Sequence, residues 1–288
     1  MFASGDLLRS VLKDQISKTL VYPNKIDIKI KDGSKSTAVE RIKGGFHVLI
    51  ESFDDFDEFD GLSATGTVQL GKQIFHLPEF EVIKGSKNLN FHSEFLDFGG
   101  EKRKIEVFLE IEKDTGLSKK FKCVLDVEKM TNEENLDGKY KMIPSGYITV
   151  SITLFTLSSN RKELNGEKKK SSALLEVFTD SFIKLPENRK NIFLKLSVSN
   201  QHQESTANKK NKIKKSFFFF LSNPEAEILN IQVVDQSTKK EFAKFAFQIS
   251  LLTSSNNMEH KLQAFSFDNI DECEILMSLK MFAIQTTK

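Results

Sequence analysis

Tryptophan is absent from this 288-residue chain, tyrosine occurs three times, cysteine twice and proline five times, and the formal net charge is only +2. Each shortage excludes something. Two thiols, Cys123 and Cys273, set far apart, cannot make the framework of a disulfide-stapled secreted fold, and they suit a reducing, cytosolic setting. A charge this close to zero gives no global field toward nucleic acid or an anionic membrane, so any attraction must come from local patches. No run approaches the roughly 20 apolar residues that a spanning helix needs. The N-terminus also lacks the basic region and apolar core of a signal peptide. With so little Tyr and Trp there is no interleaved platform for stacking bases, and nucleic acid is not expected as a partner. The histidines, His47, His76, His92, His202 and His260, show no metal-ligand spacing. Neither a G-x-S-x-G elbow nor a Walker phosphate loop is present, so no catalytic residue, cofactor or metal centre is expected.

What the chain does have is phenylalanine, 26 residues of it, within a composition that is 39% hydrophobic and 28% charged. That balance is globular rather than disordered, and the length gives room for two domains, each able to bury a core. The phenylalanines read as core filling.

Near the N-terminus, Leu7, Leu8, Val11, Leu12, Ile16 and Leu20 fall on one side of a helical wheel after possible caps at Ser4 and Asp6. Tyr22, Pro23 and Asn24 end this helix, and Ile26, Ile28 and Ile30 alternate as a strand. From Gly45 onward the sequence reads as short strands at regular spacing: 46–51, 67–70, 73–77, 91–96, 105–111, 121–127 and 147–155. That pattern suggests an antiparallel sandwich. Between Val127 and Tyr140 a helical turn within a loop is expected.

Residues 158–172, rich in Ser, Asn and Lys without apolar periodicity, read as a flexible linker. A second set of strands follows at 173–178, 192–198, 216–221, 228–234, 242–249, 262–265 and 274–282. Its centre, Ser216 to Lys240, holds an apolar run, an Asn223-Pro224 turn and the alternating strand Leu229, Ile231, Val233, read together as a hairpin. A matching pair surrounds Gly99 and Gly100, so the chain looks like two copies of one β unit.

Five segments in order resemble the extended synaptotagmins. ISKTLVYPNKIDIKI resembles the end of that family's tubular lipid-transfer (SMP) module, and IKGGFHVLIE and TVQLGKQIF resemble the first strands of its first C2 domain. SSALLEVFTDSFIKLP and FFFFLSNPEAEILNIQVVD resemble the start and centre of the second. The resemblance implies a mainly β fold of two tandem C2-type antiparallel β-sandwiches preceded by a short helix-strand remnant of an SMP domain. The expected division is 1–35 for the remnant, 36–157 for the first C2 domain, 158–172 for the linker and 173–288 for the second C2 domain. It also implies a cytoplasmic, peripheral membrane protein at contacts between endoplasmic reticulum and plasma membrane, acting in tethering or lipid transport. Against that plan the chain lacks the membrane hairpin, most of the SMP module and a third C2 domain, and is expected to be a fragment or a short form. A helix of 1–35 parted from its module would expose its apolar face and favour self-association.

C2 domains hold calcium with aspartates from two loops, six to eight oxygens in all. Here one loop is acidic, with Asp54, Asp55, Asp57, Glu58 and Asp60, and is expected to be merely solvated. The other offers Ile111, Glu112, Lys113 and Asp114, with an apolar and a cationic side chain at ligand positions. The second unit has only Asp180 and Asp235, the latter followed by Lys239 and Lys240. Membrane contact, if made, is therefore expected without the metal. Its candidate is the run Lys209, Lys210, Lys212, Lys214 and Lys215, a patch for an anionic phospholipid surface. The same lysines also fit a solvated strand edge that blocks aggregation, and the competing function is a protein-interaction scaffold whose C2 domains never touch lipid.

Overall fold

The alternation that marks Ile105, Val107, Leu109 and Ile111 as one face and Lys104, Glu106 and Glu110 as the other is realised as a strand with a buried and a wet side. A computed structural model of the chain describes residues 42, 44–83, 87–98, 103–112, 117–128, 135–164, 171–186, 192–207, 211–268 and 270–286. The expected N-terminal helix and strand lie outside the described residues.

Two antiparallel sandwiches follow one another. The first comprises β1 (Gly44–Asp54), β2 (Ser63–Leu70), β3 (Gln73–Glu81), β4 (Lys87–Asp97), β5 (Lys104–Glu112), β6 (Ser118–Asp126), β7 (Asn135–Lys141) and β8 (Tyr147–Ser158). Sheet β4-β1-β8-β7 faces sheet β3-β2-β5-β6. The second repeats the order strand for strand with β9 (Ala173–Lys184), β10 (Ile192–Val198), β11 (Gln201–Thr206), β12 (Lys212–Leu221), β13 (Ile228–Asp235), β14 (Glu241–Gln248), β15 (Glu259–Phe267) and β16 (Ile270–Thr286). Sheet β12-β9-β16-β15 faces sheet β11-β10-β13-β14. The mainly β tandem expected from the sequence is what forms.

Three local expectations are corrected. The segment Ser216 to Lys240 is not a hairpin: β12 pairs with β9, whereas β13 pairs with β10 and β14, so the Asn223-Pro224 turn carries the chain across the sandwich. The equivalent pair β4 and β5 does the same. In the segment before Tyr140, where a helical turn is expected, residues 135–141 form β7 on β8, and 129–134 lie outside the described residues. Strand β11 escaped notice because its sequence, QHQEST, is wholly polar.

That polarity has a use. Gln201 lies opposite edge strand β12: its Nε2 donates to the Phe220 carbonyl at 2.6 Å, and the Phe220 N–H donates to its Oε1 at 3.0 Å. Gln203 likewise donates to the Phe218 carbonyl. In the first sandwich Gln73 grips Leu96 identically, at 2.6 and 2.8 Å. One amide thus satisfies both backbone groups that an edge strand would leave unpaired. Gln201→Leu should strand two groups at about 1–3 kcal/mol each, lowering the urea midpoint; an unchanged midpoint would show that water replaces the amide.

The two sandwiches are fused rather than tethered. Strand β16 runs past its own sheet, and Ala283–Thr286 pair antiparallel with Ser158–Phe155 of β8, making one eight-stranded sheet. The phenylalanine run of β12 serves two cores: Phe217, Phe219 and Leu221 fill the second, while Phe218 and Phe220 face the first. Phe218 meets Phe98 at 5.9 Å and Phe220 meets Phe155 at 6.1 Å. The Phe155 ring lies over Gly45, where a Cβ would fall 2.5 Å from it. Beside it sits one buried polar group of three. Glu94 accepts from the Ser171 hydroxyl (2.6 Å) and amide (3.2 Å), and His47 Nδ1 lies 3.0 Å from its carboxylate. Both ends of the segment read as a flexible linker are therefore fixed: Ser158 by its pairing with Ala283, and the other end by Glu94 on Ser171 and by backbone bonds from Ser172 to Leu221 and Ile284.

A candidate lipid-binding end of the second sandwich

Strand direction gathers the charged connections. In each sandwich one end carries the β1–β2 and β5–β6 connections, or their equivalents β9–β10 and β13–β14, and is termed the loop end. In the second sandwich β12 starts at this end and runs toward the junction. Its apolar half is therefore buried between the cores, and its lysine half projects from them.

The five sequence-predicted lysines do not share one role. Lys209 and Lys210 lie outside the described residues. Lys212 and Lys214 are exposed. Between Lys212 and Lys215 the strand bulges, two residues facing one on β9, and Lys214 takes φ 46° within it. A non-glycine residue in the left-handed region is uncommon and costs of order 1 kcal/mol, so the bulge is held by its surroundings. Lys215 is different: its ammonium donates to the Glu204 carbonyl at 3.0 Å and sits 4.9 Å from the Phe217 ring centroid. It helps close the sandwich between β11 and β12. Lys215→Ala should lower the melting temperature, whereas Lys214→Ala should leave it unchanged or slightly raised; equal effects would refute this division of roles.

Sequence reasoning placed Lys239 and Lys240 only as occupants of a would-be calcium loop. The structure brings them to the same end as the lysine run, both exposed, with the Lys239 ammonium 5.6 Å from the ring centroid of Phe193 on β10, the strand that pairs with β11. Lys184 is there too, paired with Glu274 at 2.7 Å. Two acids at this end are engaged within the fold, and Asp268, in the β15–β16 turn, is exposed. Asp235 Oδ1 accepts from the amides of Ser237 (2.9 Å) and Thr238 (3.1 Å) and from the Ser237 hydroxyl, closing its loop on itself. Asp180 accepts from Ser181 at 2.8 Å. Further along β9, burial pushes the Glu176 carboxyl above the usual range, opposed by the Ser216 hydroxyl and Lys280.

The first sandwich's loop end is acidic. Asp55, Asp57, Glu58 and Asp60 are exposed, and Lys119 pairs with Glu58 at 2.8 Å. Asp54, expected to be solvated with them, is instead buried at the end of β1, 3.2 Å from Lys139. The β-sheet register sets this: Asp54 stands opposite Tyr147, close along β8 to Thr149, which in turn pairs with Lys139. Among the described residues no cluster of His, Cys, Asp and Glu could hold a metal ion, and no helix is long and apolar enough to cross a membrane.

No family model matches the chain. Among curated proteins it is 25% identical to Extended synaptotagmin-2 of Mus musculus, over 86% of this chain and 33% of that protein. It is equally similar, at 25% over 86% of its length, to Extended synaptotagmin-2 of Homo sapiens, of which it covers 30%. The chain thus spans about a third of the length of the curated relatives it matches. Among solved structures, the calcium-bound pair of C2 domains, A and B, of Extended-Synaptotagmin 2 superposes with a TM-score of 0.72 at 22% identity, covering 86% of this chain and 99% of that one. The SMP domain and the same two C2 domains of that protein, solved together, give 0.72 at 23% identity, covering 96% and 65%. The resemblance carried by the sequence motifs is borne out, and the fold is that of a C2 tandem.

Proposed function

We propose that this chain is a peripheral phospholipid-binding tandem C2 protein that works in membrane tethering or lipid transport, at contacts between endoplasmic reticulum and plasma membrane. The observation that carries this reading is the loop end of the second sandwich. There Lys212 and Lys214 on β12 and Lys239 and Lys240 in the β13–β14 connection of the facing sheet stand exposed, beyond the part of β12 that the junction buries. Lys209 and Lys210 belong to the connection into the same strand. Each basic residue near an anionic leaflet contributes about 1 kcal/mol before screening, enough together for weak, reversible recruitment. Similarity to Extended synaptotagmin-2 supports the class, and the anchored membrane site follows by analogy with that family.

The contact is largely independent of calcium, since in the second sandwich Asp235 is committed to its own loop, where Lys239 and Lys240 follow it. The proposed division keeps 36–157 and 173–288 as the C2 domains, 158–172 as the segment between them and 1–35 as the end of an SMP-like module. Because β16 is completed across the junction, the test uses the whole chain: sedimentation with neutral or phosphoinositide-containing vesicles, in chelator. Binding restricted to anionic vesicles supports the reading, and binding to neither replaces it with the protein-interaction scaffold.

A further inference from the structure

We infer that the tandem is a two-ended body whose loop ends cannot rest on one bilayer: with the lysine end on an anionic membrane, the acidic loop end is directed away from it. This rests on the reading of the lysine end as a lipid surface, and it adds the pose.

Strand β8 enters from the first loop end at Tyr147 and reaches the junction at Ser158, and β16 enters from the second loop end at Ile270 and reaches the junction at Thr286. Their last four residues pair antiparallel. Two strands that meet by their ends and run oppositely place their starting points on opposite sides of the meeting place. The twelve residues of β8 and seventeen of β16 overlap by four, so at about 3.3 Å per residue the loop ends stand up to roughly 80 Å apart.

The relation is held by burial. Phe155, Phe218, Phe220, Leu174 and Ile284 share one apolar cluster across the junction, and Ser171 is bonded into the buried Glu94–His47 pair. Charge acts in the same sense as shape. An anionic leaflet attracts the end bearing Lys212, Lys214, Lys239 and Lys240. It repels the end where Asp55, Asp57, Glu58 and Asp60 are exposed. The two sandwiches therefore do not add their affinities on one membrane, because avidity vanishes where geometry forbids simultaneous engagement.

The experiment attaches a fluorophore to single introduced cysteines in the full chain, Ile183→Cys at the second loop end and Leu117→Cys at the first, both exposed positions. Cys123 and Cys273 are buried, and burial raises both thiols, Cys273 to about 12, so neither competes for the label. Vesicles of phosphatidylcholine and phosphatidylinositol bisphosphate carry brominated acyl chains as quencher. At saturation the fluorophore at 183 should be quenched several-fold more than that at 117. Equal quenching, or quenching only at 117, overturns the pose while leaving lipid binding intact. Failure of the unlabelled chain to sediment with these vesicles overturns the lipid reading and the pose with it.

Discussion

Phe155→Ala is expected to destabilise the chain by about 3–5 kcal/mol, the range for truncating a fully buried aromatic side chain. Phe155 is 1% exposed and packs on Gly45, His47 and Phe220, so the cavity opens at the junction itself. Its strand also supplies the pairing with Thr286 that joins the sheets. The loss should therefore appear twice, as a lower urea midpoint and as a change of shape in solution, with a larger maximum dimension by small-angle scattering. Phe121→Ala offers the comparison. It is equally buried but lies inside the first sandwich, against Phe56 and Phe59, so it should lower stability without changing the shape of the folded fraction. Identical scattering from both variants would mean that the junction holds without Phe155.

Reversing Lys209, Lys210, Lys212 and Lys214 to glutamate should weaken binding to anionic vesicles by up to about a thousandfold at low ionic strength. Four basic residues contribute roughly 4 kcal/mol before screening, and about 1.4 kcal/mol is a factor of ten. At physiological salt the ratio should shrink, because exposed charges are screened over about 8 Å. Lys215 is left in place because its ammonium holds the Glu204 carbonyl; reversing it would mix unfolding with loss of lipid contact. Unchanged melting and lost binding support the lipid surface. Unchanged melting with unchanged binding would favour the scaffold, in which these lysines only guard a strand edge.

Much of this architecture is legible in the sequence, and the misses have physical causes. Half-buried strands such as β5 and β13 show themselves by alternation. The edge strands β7 and β11 do not, because β11 offers polar amides to β12 and the apolar residues of β7, Leu136 and Tyr140, are only partly buried. A turn signal such as Asn223-Pro224 marks a reversal without saying whether the next strand joins the same sheet. The Phe217–Phe220 run betrays no alternation because each of its faces enters a different core, and that concealed the fused junction. Of the site, the lysine run was visible as composition. The separate duty of Lys215, and the convergence of Lys239 and Lys240 on the same end, depend on long-range sheet order that no local pattern carries.

The measurement that tests the central claim most directly is sedimentation of the intact chain with phosphatidylinositol bisphosphate vesicles in chelator, repeated with added calcium. The account predicts binding in chelator that neutral vesicles do not support and that calcium leaves within about twofold, because the contact is made by lysines near the leaflet. Binding that appears only with calcium, or none under either condition, would contradict it.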